Sequence, residues 1–275
     1  MRRDLLVLAV LFIALAIPIA TCGEDLTAAA PGPPRFEVEF DTQVGAPSGY
    51  VEVREFSLEG SRLDLRRDLR INTSEAVAFT ARYHLTEHDA VRATFLYYFL
   101  DGTARFDRAK PWDGEEIGPG RVDTNLDFWR GTVAYERVLF KIADGVVTGS
   151  IGATYVHLNA RIQQKAEDFY LQELPVPVAG LRLDYPITER LSARVGVEGG
   201  GLPRVDSLRN EGGTVYLTQY HADGEAAVTY SFSGGAFVGG GYQFSYFYQG
   251  EHSAEDGNRL KLIDNAFRLR AGWRF

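Results

Sequence analysis

The residues best spaced for acid–base chemistry are His221, Asp223 and Glu225. Alternate residues of a strand share one face. That spacing brings an imidazole within reach of two carboxylates. A nucleophile beside them would complete the relay used by hydrolases and acyltransferases. No nucleophile motif accompanies them, and i,i+2 pairs of this kind arise easily by chance. No catalytic residue is assigned, and His221, Asp223 and Glu225 stand only as candidates; activity as an enzyme stays open, with a non-enzyme preferred. His84 and His88 flank a short turn and are expected to face water. Neither the histidines nor the single cysteine, Cys22, has metal-ligand spacing. No metal and no cofactor is expected. Gly239-Gly240-Gly241 lies within a strand pattern rather than before a helix. It reads as close strand packing or a bend, not as a phosphate loop.

A second set of residues shares a parity instead of a motif. Arg82, Arg92, Glu136, Arg182, Asp184, Arg194, Glu198, Glu225, Arg268 and Arg270 alternate with apolar side chains along their strands. If the apolar parity faces lipid, these charges face a lumen. Small barrels fill their bore with side chains, and isolated buried charges are costly, so the charges must pair. Two readings follow. One is a structural mesh that plugs the bore. The other is a thin conduit whose charges select a small polar solute. The partners of Arg268, Arg270 and Glu225 across the barrel seam are expected on the first strand, at positions such as Glu52.

Alternation of this kind runs through most of the chain. Val77 to Leu85, Val91 to Phe99, Leu126 to Glu136, Val147 to Tyr155, Leu181 to Tyr185, Leu191 to Glu198, Tyr216 to Phe232 and Val238 to Gln249 all read as strands. The parity blurs beyond Tyr155, which suggests a bulge near Val156. Short connections fall near 86–89, 143–145, 188–190 and 233–235. Long ones fall near 59–75, 101–125, 163–175, 199–213 and 251–260. With Tyr50 to Leu58 as the first strand the count is about ten; eight or twelve remain open. The 101–125 loop carries Trp112 with Asp113, Glu115 and Glu116, which suits either a surface contact or a cap over the lumen.

The last strand, Ala266 to Phe275, has one wholly apolar face (Phe267, Leu269, Ala271, Trp273, Phe275) and three arginines on the other. It resembles the closing strand of bacterial outer-membrane β-barrels. Short turns alternating with long loops, strands of ten residues or more, and aromatics near strand ends (Tyr83, Tyr97, Phe99, Trp129, Tyr185, Tyr246, Tyr248) fit the same class. The resemblance implies an all-β, transmembrane antiparallel up-and-down barrel in the outer membrane of a Gram-negative bacterium. It implies Trp273 and Phe275 as the assembly signal. It also implies outer-membrane lipids, lipopolysaccharide and the barrel-assembly machinery as partners. The implied function is structural or passive passage of small solutes through a charged, largely filled lumen. The alternatives are a lipid- or peptide-modifying hydrolase or acyltransferase, and an adhesion barrel acting through its external loops. A soluble sandwich or calycin-like barrel would bury the apolar parity instead, and parity alone does not separate the two.

Arg2 and Arg3 followed by the apolar run Leu5 to Ala20 read as an export signal. The expected organisation is a signal peptide at 1–22, a periplasmic linker or extension at 23–49 and a barrel at 50–275. Cleavage after Cys22 and lipidation of Cys22 are both open. Of the 275 residues, 24% are charged and 45% hydrophobic, with 29 Gly and 14 Tyr. The net charge of -8 argues against a nucleic-acid partner, which requires a basic surface. Oligomeric state is not legible.

Overall fold

A computed structural model describes residues 35–54, 60–112, 114–162, 165–167, 175–210, 214–253 and 257–275. The expected signal peptide, with Cys22, lies outside the described residues. Ten antiparallel strands form the wall: β1 (Phe36–Gly45), β2 (Ser74–His84), β3 (Asp89–Phe106), β4 (Gly120–Ile142), β5 (Gly145–Ile162), β6 (Val176–Pro186), β7 (Leu191–Asn210), β8 (Thr214–Ser231), β9 (Ala236–His252) and β10 (Arg259–Arg274). Each pairs with its sequence neighbours. β1 also pairs with β10, from Glu37↔Arg274 to Gly45↔Ala266, and so closes the ring. Closure leaves no free sheet edge along this seam.

The wall therefore begins at Phe36, not at Tyr50, and residues 36–49 are not a linker. Glu37, Glu39, Asp41 and Gln43 alternate with Val38, Phe40, Thr42 and Val44, the same charged-in, apolar-out rhythm as the other strands. Ala46-Pro47 ends β1. The chain then resumes as a short strand, Ser48–Glu52, on β10 above β1 (Ser48↔Ile263 to Glu52↔Arg259). Glu52 is thereby removed from the seam. Gly49 permits this step: its φ is +131°, and a Cβ there would lie 1.9 Å from the Lys261 carbonyl oxygen.

The connections at one end are short, as expected, and both ends of the wall meet there, with Arg35 N and Phe275 N bonded to Phe275 O and Phe36 O. At the other end, two of the expected long loops are continued strand. β3 and β4 stay paired to Phe106↔Gly120, and β7 runs to Asn210. β4 has 23 residues, about twice the roughly 9–11 that cross a bilayer.

The extra length has a different polarity. In the turn-side half the outward face is apolar (Phe79, Phe95, Val133, Ile151, Val195 and Phe267 are exposed) and the inward face is charged. In the loop-side half the pattern inverts. Along β3 the outward series Val91, Ala93, Phe95, Tyr97, Phe99 gives way to Asp101, Thr103, Arg105. The inward series Arg92, Thr94 gives way to Leu96, Tyr98, Leu100, Ala104, Phe106. The parity loss beyond Tyr155 is this inversion: Val156, Leu158, Ala160 and Ile162 turn inward in unbroken register with β4. The register shift on that pair lies instead between Val138 and Phe140.

Residues 60–73, ahead of β2, fold into the loop-side lumen. Asp64 caps a turn there, accepting from the Arg66 and Arg67 amides through Oδ1 (3.0 and 2.8 Å). The turn drives Leu63, Leu65, Leu69 and Ile71 into the barrel, each 0% exposed. They join Val51, Val53, Tyr98, Leu100, Phe128, Leu158, Phe247 and Leu260 in one apolar core. Trp112 and Ile117, from a small hairpin (Lys110–Trp112 with Glu115–Ile117), belong to the same core. Trp112 is a cap residue and not a surface contact.

Candidate functional site: the lumen

The turn-side lumen is filled by side chains from all ten strands. All ten charges that the alternating pattern marks face inward, and most are members of one mesh. Glu136 on β4 is one centre. It accepts from Arg82 Nε (2.8 Å), Arg92 Nε (2.7 Å) and Arg182 Nη1 (3.0 Å). Arg92 also reaches Glu198, and Arg82 reaches Glu37. Asp184 joins Arg182 to Arg194, 2.7 Å from each.

Arg268 on β10 is the second centre. It donates to Asp41 (2.6 Å), Glu39 (2.7 Å) and Glu225 (2.7 Å). Arg194 lies 3.7 Å from Glu39 and links the two centres. Arg274 closes the turn-side edge on Glu37 at 2.7 Å. The seam partners of Arg268 are thus Glu39 and Asp41 of β1, whereas Glu52 sits near Arg259 at 3.9 Å.

Three carboxylates and two arginines of the lumen, Glu37, Glu39, Asp41, Arg130 and Arg274, were not singled out in the sequence. For the β1 carboxylates the signal was present, since they share the parity of a clean alternation. Arg130 stands two residues from Thr132 on the inward parity of β4 and pairs with Asp223 at 2.8 Å. With these and Asp223 added, the ion pairs of the lumen among the described residues join eight arginines (82, 92, 130, 182, 194, 268, 270, 274) to eight carboxylates (37, 39, 41, 136, 184, 198, 223, 225). The formal charges cancel.

Arg270 differs from its neighbour. Its side chain is 1% exposed and its nearest carboxylate, Glu39, is 3.6 Å away. None of its three guanidinium nitrogens has a hydrogen-bond partner. It runs beside Gly239, where a Cβ would lie 2.6 Å from the Val228 carbonyl oxygen and 3.0 Å from Arg270 Nε. The glycine run thus serves close packing around an arginine.

His221, Asp223 and Glu225 share the inward face but form no relay. His221 is 3% exposed and neither ring nitrogen has a hydrogen-bond partner. Asp223 is committed to Arg130 and to the Ser245 hydroxyl, which donates at 2.8 Å. Glu225 is committed to Arg268. Among the described residues no group of three or more His, Cys, Asp or Glu is placed to hold a metal ion.

Within the mesh lies a polar cavity of about 150 Å³, lined by Thr80, Thr94, Ser150 and Gln243 together with Arg92, Arg182, Glu198 and Arg268. It has room for a handful of waters. The outer face carries the aromatic contacts of a membrane protein. Phe36 and Trp273 pack on Phe275 at the turn end. Trp129 packs on Phe95, Tyr155 and His157 at the height where polarity inverts. Such girdles mark the two water interfaces of a spanning barrel. The apolar belt is therefore the turn-side half alone.

No family model matches the chain, and no curated protein matches it in sequence. Among solved structures, the outer membrane protease OmpT from Escherichia coli is similar with a TM-score of 0.53 at 12% identity, covering 90% of this chain and 99% of that one. The translocator domain of the autotransporter NalP from Neisseria meningitidis has a TM-score of 0.41 at 14% identity, over 99% and 98% of the two chains. The outer membrane protein OprG from Pseudomonas aeruginosa has 0.39 at 10% identity, over 88% and 96%. The likeness to OmpT is one of fold. Together with the outward apolar belt, it makes this chain an outer-membrane-type β-barrel.

Proposed function

We propose that the protein is a closed, structural outer-membrane barrel that holds a rigid loop-side half above the membrane and does not conduct. The observation that carries this reading is the apolar core across the loop-side lumen, to which Leu63, Leu65, Leu69 and Ile71 of the inserted segment contribute fully buried side chains. Ions do not cross packed hydrocarbon, and removing those side chains from water stabilises the closed state by roughly 1.5–3 kcal/mol each. The balanced mesh below supports the same reading, because a selective conduit requires an excess of one sign or hydrated charges. Short turns at one end support a periplasmic position for that end and an exterior position for the core. Outer-membrane lipids, lipopolysaccharide and the barrel-assembly machinery are its partners on this reading.

The test is planar-bilayer conductance of the refolded full chain. Silence is expected across about ±100 mV, a range set by physiological potentials. Steady ion-selective steps in the wild type would overturn the closed reading in favour of a passive channel.

A further inference from the structure

The loop end carries a concentration of cations that the chain as a whole does not. A cleft of about 510 Å³ lies between the Asp64-capped turn and the end of β3. Arg67, Arg70, Arg105, Arg108 and Lys110 line it, against Asp68 and Asp107. Asp68 is already engaged by Arg67 at 3.1 Å and by Lys110 at 3.4 Å. Arg70, Arg105 and Arg108 are exposed, and among the described residues no carboxylate pairs with them. Three unpaired guanidiniums converge on one concave surface in a protein of net charge -8. General basicity does not explain that.

Guanidinium is the cation best matched to phosphate, because its planar fork offers parallel donors to two oxygens. The floor is rigid. Lys110 Nζ sits 4.6 Å over the Phe106 ring, and Phe106, Leu65 and Leu69 are buried in the core beneath. The height also matters. Arg105 is six residues beyond Phe99, the last apolar outward residue of β3, roughly 20 Å along the strand. Headgroups of the surrounding bilayer lie below it.

We propose that this cleft binds a phosphate-bearing polyanion outside the cell, of the kind a phosphorylated glycan chain presents. The proposal is independent of whether the lumen conducts.

The test uses the full chain refolded into nanodiscs of zwitterionic phospholipid, with inorganic tripolyphosphate as the probe and isothermal titration as the readout. Saturable binding is expected at low salt, weakening about tenfold on going to 200 mM NaCl as exposed charges are screened. The double variant Arg105→Gln/Arg108→Gln should weaken it at least about tenfold, and Arg105→Lys/Arg108→Lys by less, since charge is kept but the fork is lost. Arg137→Gln, at the opposite end, should leave it unchanged. Heat-modifiable migration on gels checks that each variant folds. Absence of binding by the wild type, equal binding by the double Gln variant, or equal competition by citrate would each overturn the proposal. So would binding that appears only when anionic lipid is added to the disc.

Discussion

Arg82 and Arg92 stand directly opposite each other on β2 and β3, a cross-strand pair of like charge, and both donate to the same carboxylate, Glu136, at 2.8 and 2.7 Å. Like charges at opposed positions destabilise a sheet. Here the third strand supplies the counter-charge, and Arg182 from β6 completes the grip. Glu136→Gln should therefore leave three arginines around a neutral amide. The expected loss is about 3–5 kcal/mol, the range for breaking a buried pair. Urea titration of the protein in lipid measures it. Adding Arg92→Met should recover a substantial part.

Arg268 and Arg270 separate the roles of two adjacent inward arginines. Arg268 has three carboxylate partners and Arg270 has no hydrogen bond. Arg268→Met should cost about 3–5 kcal/mol. Arg270→Met removes a buried, poorly satisfied charge, and replacing such a group with an apolar one is often neutral or stabilising. Equal losses at both positions would show that Arg270 has partners of comparable strength.

The height of the membrane belt can be tested on one outward surface. Val133 is 58% exposed in the turn-side half. Val133→Arg should destabilise the folded protein by about 2–4 kcal/mol, as a charge near the midplane does. Thr103→Arg, outward in the loop-side half, should change stability by no more than about 0.5 kcal/mol. Two equal costs would place the bilayer over the whole strand length.

The inserted segment should behave as core. Leu69 is fully buried, and Leu69→Ala should cost about 2–5 kcal/mol. A loss below about 1 kcal/mol would mean that the segment contributes little to the closed state.

One carboxylate outside the membrane, Asp68, gives a pH dependence of defined sign. Burial pushes the Asp68 carboxyl up, but the Arg67 guanidinium, the Asp64 amide and Lys110 outweigh it and hold the carboxyl below its usual range. A depressed folded pKa contributes stability that is present above the unfolded value, about 3.9, and is lost as pH falls through the folded value. Hydrogen exchange at Leu65 to Ile71, expressed as a protection factor, should therefore be flat from pH 7 to 5. Its protection should drop only below about pH 4. In Asp68→Asn that drop should shrink.

What the sequence determined by itself is the strand rhythm of the turn-side half. Period-2 alternation is a local property, so Arg82, Arg92, Glu136, Arg268 and their parity neighbours could be placed on one face before any fold was known. The short turns, near ten strands, and an apolar face too continuous for water are local in the same sense. The hydrogen-bonding partners were not legible. Arg268 meets Asp41 across 227 residues, a contact that exists only because β10 closes on β1. Glu52, which lay nearer in the expected order, was displaced once Pro47 and Gly49 stepped the chain onto β10.

The loop-side half was decided by tertiary structure. Its strands keep the same alternation, but Leu96, Tyr98 and Leu100 point inward where Arg92 and Thr94 do. Parity cannot distinguish an apolar residue facing lipid from one facing a core. What decides is whether something apolar arrives from elsewhere to cover it. Here the segment bearing Leu63, Leu65, Leu69 and Ile71 does so. Its spacing around a charged turn looks like a solvated loop until the barrel surrounds it.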